Sequence, residues 1–173
     1  MRKKRNFTDG AVYHVTSRTN NKEKVFSHYL GQRIILLVLE DAKEKYDFRL
    51  HNFVIMPTHI HLLIAPVPYT SLSQIMQWIK TISAKRWNSI HGSRDHLWGD
   101  RYYARSIRDF YDYLSVYNYI DQNPVKSGLA VNPPDWRPSG AYHITHGLTS
   151  LVDYSPFKWQ SYQKRLPPTK TGD

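Results

Sequence analysis

The chain has 173 residues, enough for one domain with a core of its own. It carries 24 Lys+Arg against 14 Asp+Glu, a formal net charge of +10, and 14% aromatic residues that include 13 Tyr and 5 Trp. With no cysteine, disulfides and thiolate metal sites are excluded, which suits a cytosolic chain. No apolar run approaches the roughly 20 residues of a bilayer span, so no membrane partner is expected. The basic start "MRKKRNFTDG" leads into no apolar signal region, and nothing marks export. Such a charge attracts a polyanion, and cations interleaved with aromatic rings suit single-stranded nucleic acid; a solvated basic surface is the other reading.

In chain order, "AVYHVTSR" alternates and is β-rich, which predicts a strand over 11–17. A helix follows from Ser27 to Tyr46, with Leu30, Ile34, Leu37 and Val38 as its inward stripe. "FRLHNFVIMP" and "HIHLLIAP" read as two strands joined near Pro57 and Thr58. A second helix starts near Ser71 or Ser73, buries Leu72, Ile75, Met76, Ile79 and Ile82, and ends at Gly92. "RYYARSI" is a fourth strand, and a third helix runs from Asp109 to Gln122 and stops at Pro124. Residues 125–173 are rich in Pro and Gly and should be irregular, packed by Trp136 and Trp159, with a loose end. The order strand–helix–strand–strand–helix–strand predicts an α+β fold: a ferredoxin-like or RRM-like antiparallel sheet with helices on one face, an additional helix, and the other face free for a ligand.

Two features carry chemistry. In the strand "HIHLLI", His59 and His61 share one face while Ile60, Leu62 and Ile64 line the other. The pair is either half-buried histidines bonded to nearby backbone or half of a metal site. The other histidines, His14, His51, His96, His143 and His146, add nothing by their spacing. In "DFYDYLSVYNYIDQNP", Phe110, Leu114, Tyr117 and Ile120 form the stripe expected against the sheet. At 100° per residue Tyr119 lies about 200° from Tyr117, among Asp112, Ser115 and Asn123. Asn123, four residues on, can share a surface with the phenol, although Pro124 disfavours helical geometry there. Tyr119 is a surface tyrosine or a nucleophile for phosphorus. With a cation held by two imidazoles and an amide, the second reading describes phosphodiester transfer. Imidazole favours Mn²⁺ in affinity, and abundance favours Mg²⁺.

These residues are also familiar as a set. "MPTHIHLLI" resembles the His-hydrophobe-His motif of the HUH single-strand endonucleases, and "YNYIDQNPVKSGL" resembles the single-tyrosine helix of the REP-associated tyrosine transposases. "YHVTSR" and "LWGDRYYARSI" match the same group, so the resemblance spans roughly residues 11–140. It implies a transposase catalytic domain over 1–140 with a basic arm at 1–10, and an irregular extension over 141–173. It implies His59 and His61 as metal ligands, Asn123 as the third, amide-type ligand, and Tyr119 as nucleophile, with Mg²⁺ or Mn²⁺ as cofactor. The implied substrate is single-stranded DNA folded into an imperfect hairpin, such as a repeated extragenic palindrome, cut to leave a 5′-phosphotyrosine and a free 3′-OH. Relatives in this broad class place the site within one chain or between two, so monomer and homodimer both stay open.

The pattern has departures: Thr58 stands where Asn is commonest, and "WRPSGAYH" lacks the paired serines often found after that Trp. Candidate phosphate contacts are the arm Arg2, Lys3, Lys4 and Arg5, together with Arg18, Lys85, Arg86, Arg101 and Arg105. Trp98 and Tyr102 either stack on bases or pack in the core. Two other functions compete: a binding-only RRM-like module, and a metal-dependent phosphodiesterase that uses water as its nucleophile.

Overall fold

The structure, a computed structural model, describes residues 10–67, 69–148 and 150–153. Four strands, β1 (Tyr13–Arg18), β2 (Phe48–Met56), β3 (His59–Pro66) and β4 (Tyr103–Ser106), form one antiparallel sheet in the order β2-β3-β1-β4. With α1 (Tyr29–Lys45) and α2 (Leu72–His91) as the two crossovers, this is the expected ferredoxin-like α+β arrangement. Among the described residues no helix is long and apolar enough to cross a membrane.

The alternation in the strands decides which residues go where. Tyr13 and Val15 of β1, Leu50, Phe53 and Ile55 of β2, and Ile60, Leu62 and Ile64 of β3 enter one core with α1 and α2. In α2 the expected Leu72, Ile75, Met76 and Ile79 are buried, Ile82 is half-buried, and Gly92 ends the helix with φ 61°. The stripe of α1 is rotated from expectation. Gly31, Ile34, Ile35, Val38, Leu39 and Ala42 are buried, whereas Leu30 is exposed and Leu37 only half-buried. The reason is Gly31, whose missing side chain lets the helix press on the Val25 carbonyl, where a Cβ would collide.

The additional helix, α3 (Phe110–Lys126), covers the other face of the sheet. Tyr113, Val116 and Ile120 pack on Val54, Met56 and Leu63 in a second core. This corrects the predicted stripe: Phe110, Leu114 and Tyr117 are half-buried flanks, and Tyr113 is the fully buried member. The helix also continues through Pro124 to Lys126 instead of stopping. Pro124 lies in the final turn, so only one ladder bond is forfeited, and its ring is buried. Asp109 caps the start, its carboxylate accepting from the Asp112 N–H at 2.8 Å.

A bulge between Leu50 and Asn52 turns Asn52 toward α3, where its amide donates to the Asp121 carboxylate at 2.8 Å and accepts from the Phe53 N–H. The segment after α3 is less irregular than expected: a short helix, α4 (Gly140–Thr145), sits against Asn52, and a Cβ at position 140 would collide with that amide. The stretch before α4 closes the outer edge of β2. Trp136 donates to the Ile55 carbonyl at 3.0 Å and the Ile55 N–H donates to Pro138 at 2.9 Å. Asp153 pairs with both backbone groups of Leu50 and with Lys43. Trp159, and the end expected to be loose, lie outside the described residues.

Candidate active site

Strand β3 presents His59 and His61 on the α3 face, with ring centroids 4.9 Å apart and planes nearly perpendicular. Helix α3 brings Tyr119 to them: its ring centroid lies 5.4 Å from that of His61, edge to face, and the residue is 43% exposed. The ring thus borders His61 on one side and solvent on the other. A third ring, missed in the sequence, joins them. His14 of β1 stacks 5.1 Å from His61, lies 5.8 Å from Tyr119, and shares a 3.0 Å hydrogen bond between its Nε2 and His61 Nδ1. Thr16 Oγ1 is also 3.0 Å from that Nδ1. The alternation of "YHVTSR", with Tyr13, Val15 and Ser17 inward, was the available signal that His14, Thr16 and Arg18 share the opposite face.

The imidazoles are held neutral. Burial, then the neighbouring His59, His14 and Arg18, push His61 down to about 3. Burial and the Arg105 charge take His14 down to about 4, against the opposing pull of Asp112. His59 is lowered by burial and then by Arg18. Neutral imidazole is the metal-binding form. His61 Nε2 is buried with no hydrogen-bond partner, and His59 Nδ1 is held at 3.0 Å by Thr58 Oγ1. Both histidines therefore have Nδ1 engaged and Nε2 left for a ligand, the usual division at a metal-binding histidine. Thr58, the departure from the commonest motif, is thus the residue that touches the His59 ring. Among the described residues no trio of His, Cys, Asp or Glu could hold a metal, so a cation here would rest on two imidazoles with an amide. Asn123 is half-buried in α3; its amide nitrogen donates to the Tyr119 carbonyl at 2.7 Å, so Oδ1 takes no part in that bond.

The candidate phosphate contacts separate into groups. Arg18 and Arg101 line a groove beside the site. Arg105 is instead committed to Asp112 of α3 through two hydrogen bonds at 2.8 and 2.9 Å, tying β4 to the tyrosine helix. That pairing holds the Asp112 carboxyl well below the usual carboxylate range. Lys85 and Arg86 lie on α2, in the layer opposite the site, and Arg86 pairs with Asp41 of α1. Arg2, Lys3, Lys4 and Arg5 lie outside the described residues. Trp98 and Tyr102 are core residues, at 7% and 8% exposure; the Trp98 indole donates to Ser83. One cation was not foreseen: because α3 runs past Pro124, Lys126 stands two turns after Tyr119 with Nζ 6.0 Å from its ring centroid.

Comparison with known proteins gives the family and the fold. The family model described as "Transposase IS200 like" matches residues 8–123, more than half of the sequence. The chain belongs to this family of transposases, enzymes that cut and join DNA. It is 27% identical over 150 residues to the REP-associated tyrosine transposase of Escherichia coli (strain K12), covering 84% of this chain and 86% of that one. An uncharacterized protein of Haemophilus influenzae is 27% identical over 150 residues, covering 69% of this chain and 83% of its own. The fold matches a solved structure titled as a REP-associated tyrosine transposase bound to a REP hairpin, with a TM-score of 0.70 at 21% identity. That match covers 91% of this chain and 95% of the other.

Proposed function

We propose that this transposase cuts and rejoins single-stranded DNA at an imperfect REP-type hairpin in the cytosol, with Tyr119 as the nucleophile and a divalent cation at His59, His61 and Asn123. The observation that carries the reading is the Tyr119 ring set edge-on to His61, whose buried Nε2 lacks a partner. Hairpin DNA as substrate is supported by the name of the Escherichia coli relative and by the hairpin bound in the structure that shares the fold. The Tyr119 ring lies beside His61 of the same chain, which supports a site built within a single copy.

Mg²⁺ or Mn²⁺ at this donor set would neutralise the scissile phosphate and favour in-line displacement. The chain's own residues do the rest. Thr58 fixes the His59 ring. With the His61 proton on Nδ1, that ring donates to His14 or Thr16 and keeps Nε2 free. The Tyr119 oxygen bonds to phosphorus as the bond to the 3′-oxygen breaks. The phenolic proton passes to water at this exposed site, and the departing oxygen takes one up as a free 3′-OH. Nothing is oxidised, and the phosphodiester energy is kept in the 5′-phosphotyrosine link, so rejoining needs no ATP. Lys126 adds a cation beside the ring.

The test uses end-labelled hairpin single strands with Mn²⁺ or Mg²⁺. A denaturation-resistant protein–DNA adduct is expected from the native chain and not from Tyr119→Phe. Cutting without an adduct would assign water as the nucleophile, and binding without cutting would leave a non-catalytic module; either result overturns the proposal.

A further inference from the structure

The face that carries the imidazoles continues past Thr16, the residue that touches His61, into a groove of about 640 Å³ between β1, the 19–22 loop and residues 98–103. Three cations line it, Arg18, Lys22 and Arg101, against one carboxylate, Asp100. None of the three is in an ion pair among the described residues. Arg18 stands opposite His59 in the β1–β3 register, so the groove opens directly beside the proposed cutting site. Lys22 and its neighbour Asn21 are held at φ 55° and 49°, the left-handed region that residues with side chains seldom enter.

Tyr103 gives the groove its character. It lies opposite Thr16 in the β1–β4 register, on the same face as the imidazoles, and is 62% exposed. Its neighbour Tyr102 points the other way into the core. Core packing therefore accounts for one of these adjacent tyrosines and not the other. A bare aromatic face among unpaired cations is the pairing that single-stranded nucleic acid uses, base on ring and phosphate on cation. The volume lies within the range of small-ligand sites and suits a nucleotide.

We infer that this groove holds an unpaired nucleotide adjoining the scissile phosphate, its base stacked on Tyr103 and its flanking phosphates against Arg18, Lys22 and Arg101. The inference rests on the proposed function for the location of the scissile phosphate. Stacking accepts every base, so this subsite grips the strand and discriminates weakly among sequences.

The test measures binding of the full chain, in EDTA so that nothing is cut, to DNA stem–loops that end flush or carry a short unpaired extension on the 5′ or the 3′ side. An extension on one side is expected to tighten binding. Tyr103→Ala should reduce that advantage by about fivefold or more, while Tyr103→Phe, which keeps the ring, retains most of it. An abasic nucleotide next to the stem should reproduce the loss with the unaltered protein, independently of how any variant folds. The proposal is overturned if neither extension tightens binding, or if Tyr103→Ala and the abasic strand keep the full advantage. Adduct formation by Tyr119 is a separate readout, so either proposal can fail while the other stands.

Discussion

The two faces of one sheet have opposite tasks, and β3 shows both within six residues. Ile60, Leu62 and Ile64 point into the α1/α2 core and are fully buried. His59, His61 and Leu63 point to α3, where Leu63 packs and His61 keeps a buried ring nitrogen without a hydrogen-bond partner. The first face gains its stability from apolar area, about 1.5–3 kcal/mol for each buried aliphatic side chain. The second gives up part of that gain to hold desolvated imidazoles beside a phenol. The folded scaffold is thus separable from the chemistry, residue by residue along a single strand.

The sharpest break in that comparison is Tyr119→Phe. Adduct formation should fall by about 10³-fold or more, while thermal unfolding stays close to that of the native chain because the hydroxyl belongs to a partly exposed ring. A paired experiment comes next: Leu62→Ala against His61→Ala, neighbours on opposite faces. Denaturant unfolding should show Leu62→Ala costing about 2–5 kcal/mol, with a smaller loss for His61→Ala. The cutting assay should show the reverse order.

The α3 face should also be the pH-sensitive one. His51, buried against Tyr113, is pushed down to about 4, chiefly by burial. Above pH 6.5 both folded and unfolded chains hold it neutral. As pH falls from 6.5 toward 4, only the unfolded chain takes up the proton, so stability is lost in that window, on the order of 1–3 kcal/mol for this residue. Unfolding curves of the native chain and His51→Gln should converge as the pH is lowered through it. The smallest effect is at the tether: Asp112→Asn weakens the Arg105 fork and should lower Tm by about 2–4 °C.

Much of this contrast is legible in the sequence. Strict alternation put His59 and His61 on one side of a strand, and helical geometry set Tyr119 away from the apolar stripe. What escaped depended on contacts between elements. His14 is distant in sequence and meets His61 only through the β1–β3 ladder. The phase of α3 is ambiguous in the sequence because tyrosine serves in a core or at a surface, and Tyr113 rather than Tyr117 is the one buried. Arg105 read as a free cation because its partner, Asp112, lies on another element. Pro124 reads as a stop, although a proline in a last turn forfeits little.

The covered edge of β2 has a consequence for how this protein can be shortened. Pro138, the Trp136 indole and Asp153 occupy backbone groups along a nine-residue strand that would otherwise stand bare. A fragment cut back to the end of α3 would keep all the proposed chemistry and still expose that ladder to other copies, inviting strand-by-strand aggregation. The stretch beyond the tyrosine helix thus acts as a built-in guard on solubility, and minimal versions of the enzyme need to retain it.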